Sequence, residues 1–486
     1  MPSAKRNALL NAAYQVLRLV FPIITYPYVS RIIGPTGIGK VAYAQRIAEY
    51  FALSALLGIP MYGLREVSRS RNSPDQLSRV YSELLILSVI TSAIAGAIYI
   101  AFPIVFPDLA SGRALHWLFL LLILFAPGRL DWFYQGMEKY TFITSRSLAI
   151  RVLTAALTFV VVREPSDYPY YGMLWVAGSV VGGVLNTSYS LRLTRFTVRE
   201  LNIMRHVRNV LPTVGIQLIG TFASVIDVAM LGSLLSDDRY SVGLYTVASR
   251  VMRIALSIVT AGISVLMPRV SSLHASGDQR RTDALITKSF AFSVFFALPM
   301  TIGLAVTAPD VIRVFAGRDF APASVTLQIL SFQLLVFSLG NVVNMQVFYA
   351  QGREKSVLIL SIVTTVLSVV VNLLFIPRYR HDGAAIATLI VTTTGLIAQS
   401  SLAWKKIHAL LFTRDNGRII ALVVIWSVML IGLRMALADW QTVTRLVAVT
   451  GFGMAAYAVG ALLLRIPVAA ELVKWVWPNR NNTRGE

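Results

Sequence analysis

Four arginines stand where an apolar chain can least accommodate them. The stretch GKVAYAQRIAEYF (39–51) carries Arg46 inside an otherwise apolar run, with Glu49 three residues further on. GLYTVASRVMRIA (243–255) repeats the pattern with Arg250 and adds Arg253 one turn later, and Arg18 lies near the middle of the first apolar run. A charge at the centre of a membrane helix costs about 2.5–3.5 kcal/mol on insertion scales, so each of these must face a partner, the headgroups or a polar cavity. Guanidinium groups hold phosphate oxygens in planar, charge-assisted pairs. Several lining one cavity would therefore suit an anionic headgroup. The bland alternative is a local pair, since Arg46 and Glu49 at i,i+3 can neutralise each other on one helix face. Arg253 could equally pair with Glu49.

Asp227 is the only acidic residue in its apolar run, a pattern typical of a proton or cation site. Asn372, Thr388 and Thr392 supply oxygens of the kind hard cations prefer. The alternative for Asp227 is a hydrogen-bonded packing residue. Glu49 and Asp227 are the acids that the sequence places deep. Arg151 and Arg434 fall near run ends, where long side chains can reach the headgroups, and Arg129 with Asp131 reads as a local pair at a rim.

Other chemistry is excluded. GPTGIGK (34–40) satisfies part of a phosphate-binding loop, but Val41 replaces the required Ser or Thr and no strand precedes it. Its glycines and Pro35 suit a turn. The five histidines are scattered, and with no cysteine there is neither a thiolate metal site nor a cysteine nucleophile. No resident cofactor and no enzymatic activity are expected; the ion that could bind is H+ or Na+.

The elements that position these residues are membrane spans. The chain is 56% hydrophobic and 14% charged, against roughly a quarter charged in soluble domains. About 20 helical residues cross a ~30 Å hydrocarbon core. Apolar runs of this kind fall at 7–33, 41–63, 83–106, 115–134, 147–163, 172–191, 212–235, 241–268, 286–308, 323–349, 357–376, 384–404, 419–438 and 446–465, which makes about fourteen. An even number puts both termini on one side, and that side's loops hold well over half of the 44 Lys and Arg. Such an excess marks the cytoplasm, so the net charge of +21 reports topology rather than nucleic-acid binding. Lys5 and Arg6 precede a run that reads as a retained span, not a cleaved signal.

The spans repeat. At an offset of 204, Gly39 matches Gly243, Ala44 matches Ala248, Arg46 matches Arg250, Gly58-Ile59 matches Gly262-Ile263 and Arg65 matches Arg269. Phe133-Tyr134 followed by Gln135-Gly136-Met137-Glu138-Lys139 is echoed by Phe348-Tyr349 and Gln351-Gly352-Arg353-Glu354-Lys355. Six spans separate the copies, which keeps their orientation and predicts two parallel six-helix lobes about an axis along the membrane normal. The lobes are 1–204 and 205–406, with two further spans and a cytoplasmic tail in 407–486. In such carriers the substrate lies between lobes near the midplane, so the arginines are assigned to a central cationic cavity. The linker at 192–210, rich in arginine, reads as an amphipathic segment lying on the membrane surface.

TYPYVSRIIGPTGIGKVAYAQRIAEYF, LLGIPMYGLREVSRSR and DWFYQGMEKYTFITSRS together resemble the Wzx-type polysaccharide repeat-unit flippases, in the superfamily of the multidrug extruders and the peptidoglycan-precursor flippase. The span pattern extends the resemblance over most of the chain, while its specific motifs lie in 7–146. It implies a two-lobed, fourteen-helix all-α carrier in the bacterial inner membrane. The implied cargo is a glycan unit on undecaprenyl pyrophosphate, moved from the cytoplasmic to the periplasmic leaflet. It further implies a monomer that works with the polysaccharide polymerase machinery and binds no nucleic acid. By helix, the resemblance puts Arg18, Arg46 and Arg250 in the cavity and Asp227 with Asn372 at a coupling-cation site. The rivals are an organic-cation extruder of the same fold, whose cavity should carry carboxylates rather than arginines, a peptidoglycan-precursor flippase, and a subunit without transport.

Overall fold

In a computed structural model the described residues are 4–105, 113–199, 201–235, 238–264, 267–404, 408 and 413–476, and among them the regular structure is helical. In chain order these are α1 (Ala4–Ala55), α2 (Ile59–Ser70), α3 (Pro74–Val105), α4 (Arg113–Leu124), α5 (Asp131–Gly136), α6 (Tyr140–Val161), α7 (Tyr168–Leu193) and α8 (Ile203–Leu234). They continue as α9 (Arg239–Ser264), α10 (Met267–Ala275), α11 (Gln279–Ala316), α12 (Ala323–Val342), α13 (Glu354–Leu402), α14 (Arg414–Ala436), α15 (Thr442–Leu463) and α16 (Pro467–Val476). Nine helices among the described residues are long and apolar enough to span a bilayer, or ten with one bent pair counted as a span.

Two of the nine hold two of the expected spans each. The 52 residues of α1 would reach ~78 Å as one rod, more than twice the hydrocarbon thickness. It is broken at Gly34, whose φ of 66° only glycine adopts without strain, just before Pro35. The turn read over GPTGIGK is thus a corner made by one residue. In α13 the break falls at Arg380, φ 49°, three residues after Pro377. The fourth expected span is jointed: Ala114–Leu124 and Ala126–Gly136 meet at 47°. Pro127 and Gly128 account for the joint, since a Cβ on Gly128 would lie 2.7 Å from the Gly183 Cα. The second span turns at Gly58, φ 78°, into the amphipathic α2, which buries Ile59, Tyr62, Gly63, Glu66, Val67 and Ser70 at helical spacing.

By compactness the chain divides into Met1–Thr246 and Val247–Glu486. This differs from the boundary at 204 read from the repeat, because α8 packs on α1 and α3 and stays with the first unit. The core of the first unit gathers Ile59, Tyr81, Leu84, Trp132, Phe133 and Tyr134. In the second unit Phe290, Phe295, Leu334 and Phe348 pack with Trp426 and Tyr457, so the α14–α15 hairpin shares that unit's core rather than forming a separate domain. The Tyr457 hydroxyl donates to the Phe295 carbonyl at 2.8 Å, and the Trp426 indole donates to the Gly453 carbonyl at 2.7 Å.

The 192–210 linker, read as an amphipathic surface segment, is extended between α7 and α8. After α7 an extended strap runs along the start of α3. The Thr194 hydroxyl meets that of Ser78 at 3.0 Å, and the Thr197 amide donates to the Ser82 hydroxyl at 2.9 Å. The Asn202 amide donates to Glu83 at 2.5 Å. Ser78, Ser82 and Glu83 share one side of α3, a polar rail that competes successfully with helix formation in the strap.

Inside the first unit the second half of α1 meets the start of α9 backbone to backbone. A Cβ on Gly39 would overlap the carbonyl oxygen of Arg239, and one on Gly243 would overlap that of Pro35. Residues 35 and 239 are themselves one repeat apart, so the contact is two-fold in sequence as well as in space. Gly39→Ala should therefore force the two backbones apart and cost about 1–3 kcal/mol. Gly432→Ala, whose Cβ would meet open space, should be neutral or slightly stabilising. Thermal melting of the purified protein in detergent compares the two.

Candidate functional site

Arg46 and Glu49 are one ion pair. The Arg46 Nη1 donates to Glu49 Oε2 at 3.0 Å, and Gln45 Nε2 donates to the other carboxylate oxygen at 2.9 Å. Their side chains are 22% and 20% exposed, so the pair faces a partly open space rather than a sealed core. A cavity-facing cation and a coupling acid, read as separate possibilities, here occupy the same helix face. Arg18 lies on α1, and its side chain lies outside the described residues. On α9, Arg250 is half-buried and Arg253 exposed.

Asp227 on α8 is half-buried and accepts a hydrogen bond of 2.9 Å from the Tyr245 hydroxyl of α9. Asn372 on α13 is fully buried, its amide donating to the Ser368 carbonyl at 2.9 Å and hydroxyl at 3.2 Å. Thr392 donates to the Thr388 carbonyl at 2.6 Å, and Thr388 to that of Ala384 at 2.8 Å. These hydroxyl protons are engaged along the helix while oxygen lone pairs stay available to a cation. Asp227 belongs to the first unit, and Asn372, Thr388 and Thr392 to the second. Among the described residues no cluster of three or more His, Asp or Glu could hold a metal ion.

The most buried ionisable groups are ones the sequence reading passed over. Glu83 on α3 is 3% exposed and lies 2.6 Å from His206 Nε2 of α8, itself 0% exposed. The opposite ring nitrogen meets the Tyr62 hydroxyl of α2 at 2.8 Å. Asp310 on α11 receives Arg434 Nε at 2.9 Å and Arg445 Nε at 3.2 Å, with a second bond from the Arg445 Nη2. Arg434 is therefore a pair member and does not simply snorkel. Asp131 pairs with Arg146 at 2.9 Å instead of with Arg129, which is exposed. Arg146 also bonds Asn186, whose amide donates to the Gly128 carbonyl at the joint. Glu49 and Asp227 are thus not the only deep acids. The partners of Glu83 and Asp310 lie 123 to 135 residues away in sequence, beyond the reach of any local spacing.

Against this geometry the comparisons with known proteins are consistent. The family model described as "Polysaccharide biosynthesis protein" matches residues 4–274, more than half of the chain. The chain belongs to the polysaccharide biosynthesis protein family. A second model, "Lipid II flippase MurJ", matches residues 142–452. Among the relatives of this chain, a "Putative O-antigen transporter" of Escherichia coli K12 is 21% identical over 80% of this chain and 93% of its own. A "Probable low-salt glycan biosynthesis flippase" of Haloferax volcanii is 25% identical over 74% and 76%. Among solved structures, a lipid II flippase in an inward closed conformation superposes with a TM-score of 0.76 at 13% identity, covering 95% of this chain and all of that one. An inward-facing multidrug transporter of the MOP superfamily gives 0.63 at 18%, covering 81% and 95%. These likenesses establish the fold, an all-α multi-pass membrane fold.

The buried Glu83–His206–Tyr62 chain generates a prediction. Removing one partner of a buried hydrogen-bonded pair leaves the other's polar group short of a bond, at about 1–3 kcal/mol. His206→Ala should cost about that much, whereas Arg253→Ala at an exposed position should lie within about 0.5 kcal/mol of wild type. Denaturant or thermal unfolding in a fixed detergent measures both.

Proposed function

We propose that this protein carries a lipid-linked oligosaccharide across the bacterial inner membrane, from the cytoplasmic to the periplasmic leaflet, with both termini in the cytoplasm. The observation that carries the reading is the match to an O-antigen transporter over four-fifths of the chain, in a chain whose spans hold arginines. The cargo is a glycan repeat unit on undecaprenyl pyrophosphate. Arginines of the spans, Arg18 and Arg46 in the first unit and Arg250 and Arg253 in the second, offer a pyrophosphate charge-assisted hydrogen bonds, while the prenyl chain stays in lipid. Arg46 brings Glu49 with it, so the pair must open, or share the guanidinium, when the anion arrives. That makes its contribution exchangeable, as a transient contact in a carrier needs to be.

With the cytoplasm negative, outward movement of the anion gains ~2.3 kcal/mol per charge per 100 mV. An H+ or Na+ gradient resets the empty carrier, with Asp227 of the first unit as the acid that takes up the ion. The protein acts as a monomer beside the polymerase that consumes its product. The organic-cation extruder is disfavoured by the acids themselves. Glu49, Glu83 and Asp310 are each bonded to an arginine or histidine, which is a poor arrangement for attracting a cation.

Binding in lipid nanodiscs tests the reading, with a polyprenyl-pyrophosphate sugar competing against a lipophilic organic cation. The pyrophosphate lipid should bind. Arg250→Ala should weaken it about 10- to 100-fold, the value of one charge-assisted hydrogen bond of ~1.5–3 kcal/mol. Preferential binding of the organic cation, unaffected by Arg250→Ala, would overturn the cargo assignment.

A further inference from the structure

Arginines serve the charged part of the cargo, and its sugars need partners of another kind. In the second unit α12 and its continuation carry uncharged polar groups along one face. Gln333, Phe337, Gly340 and Asn344 follow one another at the four- and three-residue spacing of a helical stripe, and Asn341 stands beside Gly340. The three amides and Gly340 are half-buried, and Phe337 is 41% exposed. The face suited to lipid is a different one, with Val325, Phe332 and Leu339 seven residues apart. On α13 a further amide meets the stripe. A Cβ on Gly340 would find a single atom beyond its own turn within 4 Å, the Gln399 Oε1 at 3.7 Å. Glycine thus leaves a small space there, with an amide oxygen at its edge. That oxygen and the Asn344 Oδ1 are both buried, and neither has a hydrogen-bond partner within the protein. Helical side chains lean toward the N-terminus, so Asn344, one turn beyond Gly340, leans toward the same space.

The two copies of the repeat differ at this place. GGVLNTS (182–188) is echoed by GLIAQSS (395–401), which matches Asn186 to Gln399. In the first unit the amide is used up, since Asn186 accepts from Arg146 and donates to the Gly128 carbonyl at 2.9 Å. Arg146 stands on α6. The matching stretch, the first half of α13, has no Arg, Lys or His between Lys355 and Arg378. The second copy also carries one more residue, FYAQG (348–352) against FYQG (133–136). Val343–Phe348 winds as a π turn, which holds more residues than an α turn and recurs at functional sites. The second unit therefore keeps the amide and lacks the arginine that occupies it in the first.

Uncharged amides beside an exposed aromatic ring suit one class of ligand. An amide offers both a donor and an acceptor, as a hydroxyl group does, and a flat ring covers the apolar face of a sugar. A phosphate finds no cation on the stripe, and a metal ion finds no carboxylate. Amides left in hydrocarbon without partners are unfavourable, so water covers them when no ligand does, and hydroxyl groups can take its place. We propose that Gln333, Asn341, Asn344 and Gln399, with the Phe337 ring, form a carbohydrate-binding surface of the second unit that takes the hydroxyl groups of the cargo's glycan. This deepens the cargo reading above and rests on it.

The test compares two probes on the full-length protein in nanodiscs. One is the lipid-linked oligosaccharide fraction of the source cells, and the other is the same fraction with its glycan cut off to leave the polyprenyl pyrophosphate. Wild type should bind the glycosylated lipid more tightly than the bare one. Asn344→Leu and Gln399→Leu should each narrow that difference about 2- to 10-fold, the worth of one neutral hydrogen bond, and leave binding of the bare lipid unchanged. Phe337→Leu, which keeps an apolar side chain and removes the ring, should narrow it as well. Phe332→Leu on the apolar face should change neither affinity. Equal affinity of wild type for the two lipids, or amide variants that weaken both alike or neither, overturns the proposal and leaves the cargo standing. Failure of both lipids to bind removes the cargo reading, and the carbohydrate surface with it.

Discussion

The closest constraint in the first unit is the meeting of two backbones with nothing between them. Gly39 and Gly243 leave no room for a single methyl group, and each lies against the carbonyl one repeat away from the other's neighbour. Helices can approach this closely only where side chains vanish, and in lipid such close van der Waals packing replaces the hydrophobic drive available in water. The surrounding residues fix the approach. The Arg239 guanidinium sits 4.1 Å from the Tyr43 ring centroid and donates to the Gly232 carbonyl at 2.6 Å. The Tyr43 hydroxyl completes the frame at Ser233. An arginine beside a membrane helix is here spent on a ring and a carbonyl rather than on a carboxylate.

Carboxylates differ in where their partners come from. The deeply buried Glu83 and Asp310 are each met by more than one donor from distant parts of the chain. The more accessible Glu49 is met from its own helix, four and three residues away. The most buried carboxylates thus have several donors, as they must when an uncompensated ion would cost several kcal/mol. The accessible pair is the one suited to exchanging partners, and the buried ones are suited to holding helices together.

What was legible in the sequence was the part governed by short range. Apolar length located the spans, and the glycines and Pro35 of GPTGIGK located the corner at Gly34. The 204-residue echo anticipated a relation that the Gly39–Gly243 contact realises in space. The i,i+3 spacing made the Arg46–Glu49 pair foreseeable, although it could not choose between pair and cavity. What stayed hidden was pairing over long separations: His206 with Glu83, Asp310 with two arginines, and the strap with its serine rail. Composition gave the linker only an amphipathic, surface-lying character and nothing of its backbone. That backbone is held extended by Ser78, Ser82 and Glu83, whose role shows only once α3 is folded.

Asp310 bears on how freely this chain could have changed its length. The hairpin of α14 and α15 brings both arginines that compensate it. A chain shortened by those two helices would leave the buried Asp310 carboxylate without either arginine. Shortening therefore calls for a neutral residue at position 310, which ties the α14–α15 hairpin to one residue far upstream.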